Sequence, residues 1–112
     1  MATFKTWKGI ARNSNFTLTA DGPKRANVTA IMTDPEGPTI EYSDEQIRAG
    51  QAILLPTAGL WLCVVHVTSV KAPPTTIVLT ATVKDRPPDV KNVTVSGTGP
   101  TSDAVVYSIT VV

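Results

Sequence analysis

Cys63 and His66 are the two residues whose types are best suited to nucleophilic chemistry. A thiol becomes a strong nucleophile when an imidazole takes its proton, and the chain of 112 residues has one cysteine and one histidine. The two lie three positions apart in an apolar run, and residues three apart point to opposite faces of a regular β-strand. We therefore expect a buried, unreactive thiol and a histidine that packs instead of transferring protons.

Other catalytic patterns are missing from the sequence. It has no Cys/His cluster for zinc, no glycine-rich phosphate loop followed by a helix and no Gly-x-Ser-x-Gly elbow. These observations predict a protein that is not an enzyme and that needs no cofactor. Calcium is the one metal to consider, because hard oxygen donors that suit it are concentrated in predicted loops, at Asp34, Glu36, Glu41, Asp44 and Glu45.

The charge of the chain is small but unevenly distributed. The formal net charge is +1, and no block of Lys and Arg is dense enough to neutralise several phosphates, which argues against a nucleic-acid partner. Residues 1–33 hold five basic residues and one acidic residue, whereas residues 34–50 hold five acidic residues and one basic residue. This pattern fits solvated loops, and it also fits a self-complementary contact between subunits.

Alternation of apolar and polar residues with a period of two dominates the chain, broken by clusters of Gly, Pro, Asn and Asp. It predicts one all-β domain over residues 1–112, a two-sheet antiparallel β-sandwich of jelly-roll or Ig-like type with eight or nine strands. The predicted strands are 4–10, 15–20, 27–33, 39–42, 51–55, 60–69, 75–83, 90–96 and 104–112. One short helix is expected near 43–49, where Ser43 and Gln46 have the spacing of a capping box.

The predicted strand 60–69 is apolar on both faces. Trp61, Cys63, Val65 and Val67 share one face, so Leu60, Leu62, Val64 and His66 lie on the other. The opposite sheet of a sandwich covers only one of these faces. The second must be covered by the short helix, by a long loop or by another subunit, and we take Leu60, Leu62, Val64 and His66 as candidate interface residues.

No apolar run approaches the roughly 20 residues that a membrane-spanning helix needs, so we expect a soluble chain without a membrane span. Three Asn-x-Thr sequons, at Asn15, Asn27 and Asn92, are glycan acceptors in secreted eukaryotic proteins. Location is therefore left open, with an extracellular or virion-associated site as one interpretation.

Residues 50–67 join an apolar strand, a turn from Pro56 to Gly59 and an apolar strand that carries Trp61. This segment resembles one found in two β-sandwich groups, the bacterial pre-peptidase C-terminal-like domain and the jelly roll of the C1q and tumour-necrosis-factor group. The first resemblance implies an accessory module that binds carbohydrate or protein. The second implies a trimer, although the chain is short for that group and has Trp where Tyr is usual.

Our leading hypothesis is a non-enzymatic structural or adhesion module, as in a virion, phage-tail or cell-surface assembly, that forms a homo-oligomer or binds a protein partner. The alternative is a carbohydrate- or calcium-dependent binding domain of the pre-peptidase type. For that alternative Trp7 is the best candidate for an exposed ring that contacts a sugar. A small secreted enzyme or inhibitor is the third interpretation.

Overall fold

The computed structural model describes residues 2–69, 73–96 and 102–112. Within these ranges the chain forms nine strands and one short helix. They are β1 (Ala2–Ile10), β2 (Ser14–Asp21), β3 (Ala26–Thr33), β4 (Thr39–Tyr42), α1 (Asp44–Arg48), β5 (Gln51–Leu55), β6 (Gly59–Ser69), β7 (Thr75–Val83), β8 (Asp89–Val95) and β9 (Ser102–Val111). Every predicted strand is present. No helix in the described ranges is long and apolar enough to cross a membrane.

The strands form two sheets, which confirms the all-β sandwich expected from the sequence. The larger sheet has the order β1-β9-β6-β3-β4, and the smaller one has the order β5-β2-β7-β8. Of the seven strand pairs in the described part of the chain, six are antiparallel and one, β1 with β9, is parallel. The predicted antiparallel pairing therefore holds everywhere except at this edge of the larger sheet.

The core lies between the sheets and is built from every second residue of the long strands. In β6 these are Trp61, Cys63, Val65 and Val67, all buried as their spacing predicted. Phe16 and Leu18 of β2, together with Leu79 of β7, are buried from the side of the smaller sheet. Because side chains alternate along a strand, the remaining residues of β6 must face away from this core.

The expectation that Trp7 is an exposed ring is wrong. The register of β1 against β9 shifts between Trp7 and Ile10, and Gly9 adopts a φ of 67° there. The extra residue of such a bulge puts two positions three apart on the same face, so both Trp7 and Ile10 are buried. The ring of Trp7 stacks on Tyr107, with centroids 5.8 Å apart, and meets the edge of Phe16 at 5.9 Å.

Helix α1 packs against one side of the sandwich and contributes to its core. Its capping box is present as predicted: the Ser43 hydroxyl accepts from the Gln46 amide at 3.4 Å, and the Gln46 side chain accepts from the Ser43 amide at 2.8 Å. Ile47 is fully buried, and the main contacts of the helix are with β2, β3 and β5. The alternative in which residues 43–50 cover the outward side of β6, at Leu62, is therefore wrong.

Arg48 ties this helix to the turn between β2 and β3. Its guanidinium donates hydrogen bonds to the Asp44 carboxylate at 2.8 Å and to three backbone carbonyls of the turn region, those of Gly22, Pro23 and Ala26. The second oxygen of Asp44 accepts from the Val28 amide of β3 at 2.9 Å. The helix is thus held by polar contacts at its surface and by Ile47 at its base.

We predict that Ile47→Ala lowers the free energy of unfolding by about 2–5 kcal/mol, because it leaves a cavity at a fully buried position. The matched control is Glu45→Ala, an exposed position of the same helix, which should change stability by less than about 0.5 kcal/mol. Both values come from guanidinium titrations followed by circular dichroism. Equal, small losses for the two variants would mean that α1 contributes nothing to the core.

Candidate functional site

The outward side of the larger sheet carries an apolar row that crosses four strands. The register places Phe4 beside Val106, Val106 beside Val64, and Val64 beside Ile31. Phe4 is 68% exposed and Ile31 is 38% exposed, with Val64 and Val106 half-buried between them. Neighbouring strands lie about 4.8 Å apart, so this row is about 14 Å long. We call this side of the sheet the outer face and the four residues the apolar row.

All four interface candidates of the sequence analysis lie on the outer face. Leu60 is 49% exposed, His66 is exposed, and Leu62 and Val64 are half-buried. Three of the four have small or hydroxyl-bearing neighbours on β9, since Leu60 pairs with Thr110, Leu62 with Ser108 and His66 with Ala104. The predicted placement is confirmed, and a role in binding a partner stays a prediction.

Opposite charges stand at the two edges of the outer face. Lys8, on the β1 edge, points outward because it alternates with the buried Trp7. Glu41, on the β4 edge, points outward because it pairs with Ile31, and the turn before β4 adds the exposed carboxylate of Glu36. The outer face therefore carries a basic residue, Lys8, on its β1 edge and an acidic residue, Glu41, on its β4 edge.

The outward side of the smaller sheet has a different chemistry. Threonines dominate it, including the ladder on β7, at Thr17, Thr19, Thr76, Thr80, Thr82 and Thr94. The hydroxyls of Thr76 and Thr94, on neighbouring strands, lie 2.8 Å apart and share a hydrogen bond. The two solvent-facing sides of the sandwich are thus distinct, one hydroxyl-rich and one crossed by the apolar row.

A shallow cleft opens between the sheets beside β4 and β5. Its volume is about 110 Å³, and it is lined mainly by apolar side chains, those of Met32, Pro38, Ile40, Ile53, Leu54 and Trp61, with Asp34 among them. Small-molecule sites usually measure about 300–1,000 Å³ and bring several polar groups together. This cleft is too small and too apolar for a sugar ring.

The carboxylates suggested for calcium lie on a turn, a strand and a helix. Asp34 accepts a hydrogen bond from the Glu36 amide at 2.8 Å, and Asp44 is occupied by Arg48 and by the backbone of β3. In residues 2–69, 73–96 and 102–112, no three or more His, Cys, Asp or Glu side chains are grouped so that they could hold a metal ion. Calcium binding stays a prediction without a convergent set of ligands in the described residues.

The thiol and the imidazole lie on opposite faces of β6, as their spacing predicted. Cys63 is fully buried, whereas His66 is exposed on the outer face. Burial raises the pKa of Cys63 to about 12, because the interior disfavours the charged thiolate. His66 cannot take the proton of Cys63 across the sheet, so the two do not form a catalytic pair.

Among the described residues, neither the buried hydroxyl of Tyr107 nor Oδ2 of Asp89 has a hydrogen-bond partner. Asp89 Oδ2 does lie 3.2 Å from Nζ of Lys91, so this carboxylate is paired in charge although the geometry is not that of a hydrogen bond. Burial, together with the charges of Asp89 and Cys63, raises the pKa of Tyr107. Tyr107 therefore packs as a neutral hydroxyl and is unsuited to proton transfer near neutral pH.

Comparison with models of protein families finds no match to this chain, and comparisons with curated proteins and with solved structures find none either. The resemblance of residues 50–67 to the pre-peptidase C-terminal-like and C1q/tumour-necrosis-factor groups consequently stays a prediction. The function of the protein must be argued from its own surfaces.

Sequence reasoning missed three members of the apolar row, Phe4, Ile31 and Val106. A signal for two of them was present, because Ile31 alternates with Ala30 and Met32, and Val106 lies between Val105 and Tyr107. The outward position of Phe4 was harder to predict, because the bulge at Gly9 interrupts the regular alternation of β1 between Trp7 and Ile10. The row becomes visible only when the register aligns the four strands.

We predict that a maleimide labels Cys63 very slowly in the native protein, because the reagent needs an accessible thiolate. A pKa of about 12 in place of 9.0 leaves about a thousandfold less thiolate at pH 8, and full burial slows the reaction further. The same reaction in guanidinium is the control and should go to completion. Native labelling at the rate seen in guanidinium would show that Cys63 is exposed and reactive.

Proposed function

We propose that the protein is a non-enzymatic structural module that assembles with copies of itself through the outer face. The observation that carries the proposal is the apolar row, which places Phe4, Val106, Val64 and Ile31 side by side on an exposed sheet surface. Contiguous apolar surface of this kind marks contact sites far more often than scattered apolar residues do. Burial of such surface is favourable by roughly 25 cal/mol per Å².

The position of α1 supports the same proposal. The sequence offered three ways to cover the second apolar face of β6, by the short helix near 43–49, by a long loop or by another subunit. Ile47 and Arg48 fix the helix against β2, β3 and the turn between them. With α1 fixed elsewhere, contact with another copy is the way in which we propose that the apolar row is removed from water.

The chemistry of the other surfaces supports a module without catalytic activity. The buried Cys63 and Tyr107 have raised pKa values, the cleft beside β4 is small and apolar, and hydroxyl groups dominate the threonine-rich side. Acid–base catalysis works best when a group titrates near the working pH. The outer face is thus the surface of the described residues that is best suited to a function, and that function is contact.

We predict that the wild-type protein forms oligomers as its concentration rises through the micromolar range and that Val64→Glu weakens this association at least about tenfold. The reason is that a carboxylate in the middle of an apolar contact would lose its hydration without gaining a partner. Sedimentation velocity over a concentration series measures the association of both proteins.

The matched control is Thr80→Glu, which places the same charge on a half-buried, outward position of the smaller sheet. This variant should associate like the wild type, and thermal unfolding checks that both variants are folded. A wild-type protein that stays monomeric at every concentration would contradict the proposal. So would association that Val64→Glu and Thr80→Glu affect equally.

A further inference from the structure

We infer that Lys91, paired with Asp89, keeps the free edge of β8 from pairing with β8 of a second copy. The inference concerns one edge of the smaller sheet, and it does not rest on contact through the outer face. Three features of β8 lead to it: its open backbone, its composition, and two charged side chains that point toward the interior.

Strand β8 is an edge strand of the smaller sheet. It pairs with β7 in a continuous register of seven residue pairs, and among the described residues no strand pairs with its other side. An edge strand presents unpaired N–H and C=O groups that can extend the sheet with another chain. At about 3.3 Å per residue, the seven residues of β8 offer an edge about 23 Å long.

The other three sheet edges are less suited to strand pairing. Strand β4 has four residues and follows Pro38, and β5 has five residues and ends before Pro56. Strand β1 is longer, but its register shifts at the bulge around Gly9. Short strands, prolines and bulges are features that prevent an edge from extending. Strand β8 has none of them between Asp89 and Val95, so its edge needs another form of protection.

The composition of residues 90–95 favours pairing with an identical segment. It includes three valines and one threonine, which suit strands, and Lys91 is its one charged residue. Segments of six or seven residues with high β-propensity, low charge and no proline are those that stack edge to edge with their own copies. The partner that this edge fits is therefore β8 of a second copy, and removal of Lys91 would leave the segment uncharged.

Lys91 and Asp89 lie on the same side of β8 as the buried Val93 and Val95, so they point toward the interior. Nζ of Lys91 is 3.2 Å from Oδ2 of Asp89, and the two side chains are 17% and 16% exposed. Because β8 is the outermost strand, water reaches this pair from the open side of the sandwich.

An added strand would cover that open side and take both charges out of water. Desolvation of an ion pair can cost more free energy than the attraction between its members returns. Inward-pointing charges on edge strands oppose strand addition for this reason. The pair of Lys91 and Asp89 is therefore compatible with the single sandwich and unfavourable in a sheet that continues through β8.

The test removes both charges with Asp89→Asn and Lys91→Val together, so that no carboxylate is left without its partner. Both changes are made in the Val64→Glu protein, where contact through the outer face is weakened under the proposed function. We expect association at least about tenfold stronger than that of the Val64→Glu parent in sedimentation velocity, because the desolvation cost is gone. Amides of residues 89–95 should also exchange with deuterium several-fold more slowly in the associated protein.

The matched control is Asn92→Val in the same parent. It adds the same side chain to the same strand, at an exposed outward position, and keeps both charges. A second control, Lys91→Arg, keeps the positive charge. Both controls should associate like the parent, with unchanged exchange in β8, and thermal unfolding checks that every variant is folded. If the valine variant does not fold, Asp89→Asn with Lys91→Thr replaces it, with the same expected result.

Several results would overturn the inference. Equal association of Asn92→Val and the charge-free variant would show that added apolar surface, and not loss of the charges, drives the contact. A folded charge-free variant that stays like its parent, or that associates without slower exchange in β8, would contradict it as well. Loss of folding with both valine and threonine at position 91 would show that the ion pair holds the fold together instead. None of these results bears on the outer face, whose own test compares Val64→Glu with the wild type.

Discussion

A sheet in a two-layer sandwich has one face for the core, and β6 has apolar residues on both of its faces. The inward set, which includes Trp61 and Cys63, holds the two sheets together. The outward set then occupies the centre of the larger sheet, between β9 and β3, where the neighbouring strands add Val106 and Ile31. No element of the described chain covers this second apolar side of β6, so it stays on the surface of the larger sheet.

The elements that pack against the sides of the sandwich do not cover the outer face. Helix α1 is fixed by Ile47 in the core and by the hydrogen bonds of Arg48, and it leaves the outer face open. The bulge at Gly9 turns Trp7 inward onto Tyr107 and leaves Phe4 as the exposed ring of β1. The same local features that complete the core therefore also extend the apolar row to the edge of the sheet.

Much of the fold could be predicted from the sequence, because period-two alternation fixes which residues of a strand share a face. The ends of all nine strands agree within two residues, and the capping box of Ser43 and Gln46 is present. The phase of Trp7 could not be predicted, since the bulge depends on how β1 pairs with β9. The course of residues 43–50 depends on the burial of Ile47, which is a tertiary contact.

The candidate site was predictable only in part, for the same physical reason. Alternation alone put Leu60, Leu62, Val64 and His66 on a second face of their strand. That Ile31, Val106 and Phe4 lie on the same face in line with Val64 depends on strand order and register, which bring together residues far apart in the sequence. The charge split was visible along the chain, but the positions of Lys8 and Glu41 at opposite edges of one sheet required the topology.

The most direct test of the contact surface is methyl NMR of the wild-type protein over a concentration series. If the outer face is the contact, the methyl signals of Ile31, Val64 and Val106 should shift or broaden as concentration rises. The methyl signals of Val78 and Val90, on the outward side of the smaller sheet, should stay unchanged. Concentration-dependent shifts confined to Val78 and Val90, or an absence of shifts throughout, would contradict the account.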